Sequence, residues 1–465
     1  MTRTLLQRPS KVQSKNARQQ DCRLMPRSLP PAFGQPTHVA SLSPDRREAL
    51  CDTVEYCRTQ IYPHHFANQE AIDAWTCLIT HDTMAAHATQ YSVAVHKVLL
   101  ENRSAQSLTE DALMHKGVAL RLLNKQLSLG VNGDGVSDIN ALLYTIGAIA
   151  THELNREHLD SMASADPIAF GTVMPPPSNR LRAFHQLDIV NLHWKALQKL
   201  VERNGGLSGL EIPGMATLIA LVDLVGASKN AIAPSYERHW DPMPQSFRFS
   251  TLYTSYKEVR TTPGRGFFTC VGDALPARCI AVMIKLATLN HMMCVSATQT
   301  HINIADTAAS FMPSLHSLQH DLLSLPSWTG LEEDEQRSSH NGVYECCRLA
   351  AIIYSNAVLL GISSLGGWHT RLTHQLRAGL EESMFLQWPV QYQGMLAWAL
   401  CVGALAAPRS ADHVFFEDSL RDVMSSLSKE GLPMSRKSVD ELLGDYLWSE
   451  KACKHGAAML WCALR

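Results

Sequence analysis

The sequence predicts an all-α protein, because helical spacing of apolar residues recurs along it and strand signals do not. Between residues 187 and 228 apolar side chains follow three- and four-residue steps, which is the spacing of a helix with one buried face. No stretch alternates apolar and polar residues over the length of a strand. Hydrophobic residues make up 46% of the 465 positions and charged residues 18%, which indicates a globular chain. We therefore predict a large multi-helix domain over residues 43–465.

The central stretch predicts a pair of buried helices. The first helix carries Trp194, Leu197 and Val201 on one face, and the run Asn204-Gly205-Gly206 ends it, because Asn and Gly tolerate left-handed backbone. Pro213-Gly214 marks a turn, and a second helix begins near Met215. We expect these side chains of the pair to be largely buried: Trp194, Leu197, Val201, Leu218 and Val222.

Capping signals place the helices that precede this pair. Ser43-Pro44-Asp45 predicts a helix start with a Ser cap and Pro in the first turn. Thr109 precedes a second helical pattern, and Ser137-Asp138 caps a third, which contains Ile139, Leu142 and Ile146. Residues 1–42 are basic and rich in Pro, so we interpret them as a disordered arm, with a mitochondrial presequence as the alternative.

After the pair, the pattern predicts a long loop over residues 234–268 with one short helix. Helical patterns resume over 278–298, and a polar, acidic loop follows over 330–341. Further helices are predicted at Val343–Leu360, Gln393–Ala406, near Val439–Ser449 and over Glu450–Leu464. The stretches 349–368 and 386–407 contain no Asp, Glu, Lys or Arg, which fits buried helices or membrane spans. Their polar and Gly residues favour buried helices.

The cysteine pattern excludes a binuclear zinc cluster in this chain. That module needs six closely spaced thiolates, and Cys22, Cys51 and Cys57 do not provide them. The 12 cysteines are scattered without any CxxC pair, which is typical of buried thiols in a reducing compartment.

The remaining metal and catalytic patterns are weak, so we predict no cofactor and no catalytic residues. His152 and His158 lie six positions apart and do not share a helix face as zinc ligands four apart would. His64, His65, His81 and His87 could approach a metal in space, but we interpret them as singly placed core or surface histidines. The half calcium loop at Asn132–Val136 and the acidic run at Glu332–Glu335 fit a turn and a solvated loop. Walker, dinucleotide and nucleophile-elbow motifs are absent.

The run from His193-Trp194 to Asn204-Gly205-Gly206, followed by Asp223 in the next apolar helix, resembles the signature of the fungal-specific transcription factor domain. That domain is the helical regulatory region usually found after a zinc-cluster DNA-binding module. Asn204 stands where the family usually has Arg. The resemblance extends roughly over residues 45–460, with the helix around Trp398 among its later segments. It implies structural rather than catalytic roles for His193, Trp194, Gly205, Gly206 and Asp223.

The resemblance implies a nuclear regulator or co-regulator of a fungal metabolic pathway, such as a secondary-metabolite pathway, that works through other transcription factors or co-regulators. A homodimer or heterodimer is compatible with this, and no membrane is implied. The formal net charge is −2, so we expect only nonspecific phosphate contacts from the arm, through Arg3, Arg8, Lys11, Lys15 and Arg18. The alternatives are a helical enzyme or small-molecule-binding protein, and a zinc-cluster factor whose cluster lies upstream of Met1.

Overall fold

A computed structural model describes residues 43–61, 69–100, 110–131, 138–152, 168–173, 191–240, 263–268, 275–298, 304–333, 341–362, 364, 367–431 and 435–463. Within these ranges 81% of the residues are helical, in 16 α-helices with no strand. The all-α class predicted from the apolar spacing is therefore confirmed.

The first hydrophobic core is built by helices from the N-terminal half of the chain. Its largest fully buried side chains include Trp75, Ile79, Tyr91 and Leu142. A π-helical turn at Cys57–Ile61 extends the first helix. The helices are α1 Pro44–Tyr56, α2 Gln69–His81, α3 Thr83–Leu100, α4 Glu110–Val131, α5 Ile139–His152, α6 Asn191–Arg203 and α7 Met215–Asn230.

The second and larger core is built mainly by the later helices. Trp368, Trp398, Tyr344 and Phe416 are fully buried in it. A second π-helical turn, Ser355–Leu359, extends the helix before it. The helices are α8 Arg265–Phe268, α9 Ala277–Ser296, α10 Ile304–Leu323, α11 Asn341–Tyr354, α12 Trp368–Glu382, α13 Gln393–Ala406, α14 Ala411–Lys429, α15 Arg436–Gly444 and α16 Glu450–Ala463.

Helix α7 belongs to both cores. Met215, Ile219 and Val222 enter the first core, and Leu221 and Leu224 on the opposite side enter the second. Side chains at positions i, i+4 and i+7 share one helix face, so a helix that is apolar all round can fill two cores at once. The two cores are therefore joined through one buried helix.

The end of α6 confirms the predicted helix stop. Gly205 and Gly206 have φ angles of 87° and 77°, in the left-handed region. The N–H of Gly206 donates to Val201 O at 2.9 Å, and that of Gly205 to Glu202 O at 3.1 Å. This pair of bonds is the Schellman arrangement, which satisfies carbonyl groups that the helix end leaves open. Asn204 Nδ2 adds a bond to Gly209 O at 2.7 Å.

The segment 168–173 lies against the second core, although it falls in sequence between α5 and α6 of the first. Alternate N–H groups donate to three different parts of that core: Ala169 to Leu405 O at 2.9 Å, Gly171 to Ala452 O at 2.7 Å, and Val173 to Val358 O at 3.3 Å. Through these three bonds the inserted segment ties α13, α16 and the second π-turn together. No sequence pattern predicted it.

A buried polar network links α7, α10 and the second π-turn. Gln319 Nε2 donates to Ser228 Oγ at 3.0 Å and to Asn356 Oδ1 at 3.1 Å. Ser355 Oγ donates to Gln319 Oε1 at 2.6 Å, and Asn356 Nδ2 to Ser228 O at 2.9 Å. All four side chains are fully buried. Because their polar atoms find partners, the network fixes the relative placement of these helices at little desolvation cost.

Several predicted details are corrected. Ser43 precedes α1 but its side chain makes no cap hydrogen bond, whereas Asp138 Oδ1 accepts from Asn140 N at 2.9 Å as expected of a cap. Leu218 is only half-buried, at the edge of the first core, where it lines a cavity. The helix expected to end at Ser449 ends at Gly444. Helices α10, α12 and α14 were not predicted.

One helix among the described residues, α9, is long and apolar enough to cross a membrane. Its residues Cys279, Met283 and Leu286 are fully buried in the second core, and a core helix meets the same length and composition criteria. The predicted helix at Gln393–Ala406 has the expected bounds and is buried almost throughout. Within the charge-free stretch 386–407, the part from Gln393 to Ala406 is therefore a buried core helix.

Close packing of α16 against the inserted segment predicts how substitution of Gly456 changes stability. A Cβ at Gly456 would lie 2.7 Å from Ala169 O and would overlap Leu405 Cδ2. We expect Gly456→Ala to lower the unfolding free energy by about 1–3 kcal/mol, because the backbone of the segment must move. Gly379→Ala, in α12 with nothing within 4 Å of the added Cβ, should raise it by about 0.5–1 kcal/mol through helix propensity. Urea denaturation of both variants measures the difference, and equal effects would contradict this account of the segment.

Candidate functional site

A cavity of about 50 Å³ lies in the first core, between α3, α5, α6, α7 and the first π-turn. The predicted central pair forms one wall of it. α6 contributes Trp194 and Leu197, and α7 contributes Met215, Ile219 and Val222. These side chains are less than a tenth exposed, so this wall of the cavity is apolar and shielded from solvent.

The opposite wall carries hydroxyl groups whose hydrogens are already used. Thr151 Oγ1 donates to Gly147 O at 2.8 Å, and Thr89 Oγ1 donates to Ala85 O at 2.7 Å. The hydroxyl of Tyr144 lies 2.9 Å from Thr89 Oγ1. Such bonds back to the helix satisfy buried hydroxyls locally. These groups therefore make the wall polar without leaving a donor free for catalysis.

His152, the last residue of α5, is the titratable group on the cavity wall with the clearest hydrogen-bonding state. Its Nδ1 lies 2.9 Å from Ala148 O and also 2.9 Å from Thr151 Oγ1. Because a carbonyl only accepts and the Thr151 hydroxyl donates to Gly147 O, Nδ1 carries the proton. Nε2 is then a bare acceptor, and it is buried without a hydrogen-bond partner among the described residues. Burial lowers the pKa of His152 to about 4, so the ring is neutral near pH 7.

A second buried histidine lies close to the first. His96 of α3 is 1% exposed, and its Nδ1 is 3.0 Å from the hydroxyl of Tyr56. Burial and the neighbouring His152 lower the pKa of His96 to about 3. Its Nε2 is also buried without a partner in the described part of the chain. Two neutral imidazoles therefore lie in the first core, one of them on the cavity wall.

The described residues contain no group of three or more His, Cys, Asp or Glu placed to hold a metal ion. His81 Nδ1 bonds to Cys77 O at 2.8 Å, and His87 Nδ1 lies 2.6 Å from His115 Nδ1. His64, His65 and His158 fall outside the described residues, as does the turn at 132–136. Of the acidic run, Glu332 and Glu333 are described, and both are exposed.

The five signature residues occupy the two helices beside the cavity and their connections. Trp194 is 8% exposed and lines the cavity, whereas His193 beside it is half-buried. Gly205 and Gly206 form the stop after α6, as described above. The remaining residue, Asp223, faces the chain that follows α7. The arm residues Arg3, Arg8, Lys11, Lys15 and Arg18 lie outside the described residues.

Asp223 organises the loop after α7. Its Oδ2 accepts from Ser235 N at 2.6 Å and from Tyr236 N at 3.3 Å. Burial nevertheless raises the pKa of this carboxyl above its ordinary value. A carboxylate that accepts two backbone N–H groups fixes a loop, so the structural role expected for Asp223 has a direct geometric basis.

Comparisons of the chain with protein-family models, with curated proteins and with solved structures find no match. The resemblance to the fungal transcription factor domain therefore stays a prediction.

The pairing of His96 and His152 was not predicted. In the sequence, His152 belongs only to a weak zinc pattern with His158. His96 lies 56 positions before His152 and belongs to no motif. Both histidines sit in apolar helical surroundings, which is the signal a sequence offers for a buried, neutral imidazole. The sequence has no means of indicating which helices bring them together.

The wall position of Trp194 predicts its contribution to stability. We expect Trp194→Ala to lower the unfolding free energy by about 3–5 kcal/mol, because the buried ring fills the space between α6 and the cavity. Chemical denaturation monitored by circular dichroism measures this loss. His193→Ala, at the half-buried neighbouring position, serves as the control and should cost much less. A loss below about 1 kcal/mol for Trp194→Ala would contradict the burial described here.

The two histidines predict acid sensitivity. Their folded-state pKa values, about 3 and about 4, lie below the unfolded value of about 6.5. Their neutral forms therefore contribute stability above pH 6.5, and this stability is lost as the pH falls below it. Each histidine should contribute up to about 1.4 kcal/mol per pH unit to that slope. Unfolding of wild type and of His96→Gln and His152→Gln between pH 7 and pH 5 measures the slope, and an unchanged slope in both variants would contradict it.

Proposed function

We propose that this protein is a transcriptional regulator or co-regulator of a fungal metabolic pathway, acting in the nucleus through protein–protein contacts. The observation that carries the proposal is the signature-like run from His193 to Gly206 followed by Asp223. In the structure this run is a helix, a Gly-Gly stop and a second buried helix. Secondary-metabolite pathways are one setting that the resemblance implies.

An exposed apolar surface supports action through protein contacts. In the connection from α12 to α13, Met384, Leu386 and Val390 are 61%, 59% and 51% exposed. Met384 has a φ angle of +48°, a backbone conformation that costs free energy for a residue with a side chain. Clustered exposed apolar side chains typically mark interaction surfaces. We refer to these three residues as the 384–390 surface.

The 384–390 surface is held by buried neighbours in the same connection. Phe385 is 7% exposed, and its ring lies 5.9 Å from that of Phe415 in α14. Trp388 is 4% exposed, and its Nε1 donates to Ser383 O at 3.3 Å. Alternation of buried and exposed residues on two short 3₁₀ turns fixes the exposed side chains, so a partner would meet a preformed surface.

The cavity favours binding over catalysis. General acid–base chemistry needs proton-transfer groups that meet at a substrate. The cavity wall brings together one neutral imidazole, the Cys57 thiol and hydroxyl groups that donate to backbone carbonyls. This arrangement supports a regulator with a small-molecule cavity more than the alternative of a helical enzyme.

The proposal predicts how the protein behaves towards DNA. We expect the purified chain to bind DNA without sequence preference, through the basic residues Arg3, Arg8, Lys11, Lys15 and Arg18. Counterion release should weaken this binding by roughly a thousandfold between about 50 and 200 mM salt. Mobility-shift titrations on pathway promoters and on scrambled DNA measure both properties. A salt-resistant, sequence-selective footprint from the protein alone would contradict the proposed mode of action.

Deletion and complementation test the regulatory role itself. Deleting the gene should change the transcripts of a metabolic pathway, and wild type should restore them. A Met384→Asp/Leu386→Asp variant should fail to restore them, because charge blocks an apolar contact. Ile232→Asp, at a similarly exposed apolar position (57%), is the matched control and should complement. An unchanged transcriptome with a single missing metabolic step would favour the enzyme alternative instead.

A further inference from the structure

The 384–390 surface has the features of a docking site for one kind of partner. We propose that it binds a basic amphipathic helix of another protein. The apolar side of that helix would cover Met384, Leu386 and Val390, and its Lys or Arg side chains would meet the carboxylates beside them. This inference rests on the proposed function, because it names the chemistry of the partner through which the regulator would act.

The apolar part of the surface continues from the α12–α13 connection to α14. The ring of Phe385 lies 5.9 Å from that of Phe415, so the two elements are in contact here. Met384 and Leu386 are the neighbours of Phe385 in sequence, and Val414, the neighbour of Phe415, is 58% exposed. Exposed apolar side chains therefore lie on both sides of one aromatic contact, as in an extended interaction surface.

Carboxylates lie beside these apolar side chains. The guanidinium of Arg377 is 4.9 Å from the centre of the Phe415 ring. It bonds to Glu381 Oε1 at 3.0 Å and to Asp412 Oδ1 at 3.1 Å, which places both acids next to the aromatic contact. Asp418, one turn after Val414 in α14, has a side chain that is 62% exposed. The apolar surface thus has an acidic border.

The balance of charge at this border selects the sign of the partner. The segments 377–392 and 411–421 carry five carboxylates and two arginines, which leaves a net charge of −3 with histidine neutral. A positively charged partner would be attracted to this border. Two copies of the same surface would bring like charges together, so the charge disfavours a homodimer through it.

The end of α12 is electrostatically unfavourable in the chain alone. Glu381 and Glu382 are the last two residues of the helix, and its last turn contains no basic residue. Carboxylates at a helix C-terminus are repelled by its partial negative charge, whereas cations there are stabilising. Two positions later, Met384 is exposed and has a positive φ angle. Unfavourable local choices gathered at one exposed place are expected of a functional surface. A basic partner would supply the cations that this helix end lacks.

The secondary structure of the surface favours a helical partner over an extended one. The surface is built from helices and 3₁₀ turns, and the described residues contain no strand. An extended segment would find no sheet edge there to pair with its backbone. An amphipathic helix satisfies its own backbone hydrogen bonds and offers one apolar face to such a surface.

The experiment measures binding of two labelled peptides to the full chain by fluorescence anisotropy. Each peptide has about 18 residues, or about five helical turns. Both carry Leu on one helix face; the remaining positions are Lys in the probe and Glu in the control. The Lys peptide should bind at least about tenfold more tightly than the Glu peptide. A rise in salt from about 50 to 200 mM should weaken binding of the Lys peptide, because ions screen the border.

Substitution of the apolar residues locates the binding. Met384→Ser/Leu386→Ser should weaken the Lys peptide by about tenfold or more, because burial of two apolar side chains is lost. Ser is used rather than Asp, since added carboxylates would themselves attract the probe. Ile232→Ser, at an exposed apolar position elsewhere, is the matched control and should bind as wild type does. Circular dichroism shows that the variants are folded.

Substitution of the acids tests the border separately. Glu382→Gln/Asp418→Asn should weaken the Lys peptide by roughly threefold to tenfold and reduce the effect of salt. Glu211→Gln/Glu430→Gln removes two exposed carboxylates elsewhere and should leave binding unchanged. Equal affinity for the Lys and Glu peptides, or undiminished binding in Met384→Ser/Leu386→Ser, would overturn the proposal.

Two further measurements identify other occupants of the surface. A dimer seen by sedimentation in wild type and lost in Met384→Ser/Leu386→Ser would point to a second copy of the chain. Tighter binding of a synthetic peptide of residues 1–27 than of the Lys peptide, with the same loss in that variant, would point to the chain's own basic arm. Either result would overturn the proposal.

The transcript measurements keep the two proposals separate. Failed complementation by Met384→Asp/Leu386→Asp together with equal binding of the two peptides would leave the regulator in place and remove only the basic helical partner. An unchanged transcriptome after deletion would remove the regulator, whatever the peptides do.

Discussion

The packing of the whole chain depends on α7, because this one helix fills two hydrophobic cores. Met215 and Ile219 close the first core and the cavity, while Leu221 and Leu224 enter the second. The C-terminal half of α7 is fixed by polar contacts as well: Asp223 holds the loop that follows, and Ser228 bonds to Gln319 of α10. A shift of α7 would disturb both cores at once.

Because α7 packs in both cores, it also connects the cavity in the first core to the second core. One side of α7 lines the cavity, and the other side of the same helix packs in the core that supports the 384–390 surface. Packed interiors transmit small displacements because they have little spare volume. The Gln319 network bonds this second side of α7 to α10 and to the second π-turn.

Periodicity and capping residues predicted much of the fold, because they report local preferences. The Gly205-Gly206 stop, the Asp138 cap and the burial of Trp194 and Val201 follow from spacing along the chain. Helix α10 was missed because Pro313 interrupts its pattern, although tertiary packing keeps it helical. The site was predictable only in its apolar wall. His96, His152 and the first π-turn come together through helix packing. The spacing of residues along the chain does not indicate which helices pack together.

The inserted segment 168–173 has a consequence for how the chain reaches its native state. Helices α1 to α5 precede it in sequence and α6 follows it, yet all of these helices pack in the first core, while the segment lies on the second. The first core is thus built from helices that precede segment 168–173 and from helices that follow it, although the segment itself packs on the second core. Its contacts span large sequence separations, which slows folding because long loops must close first. We expect the two cores to assemble as one cooperative unit only after the last helices have been synthesised.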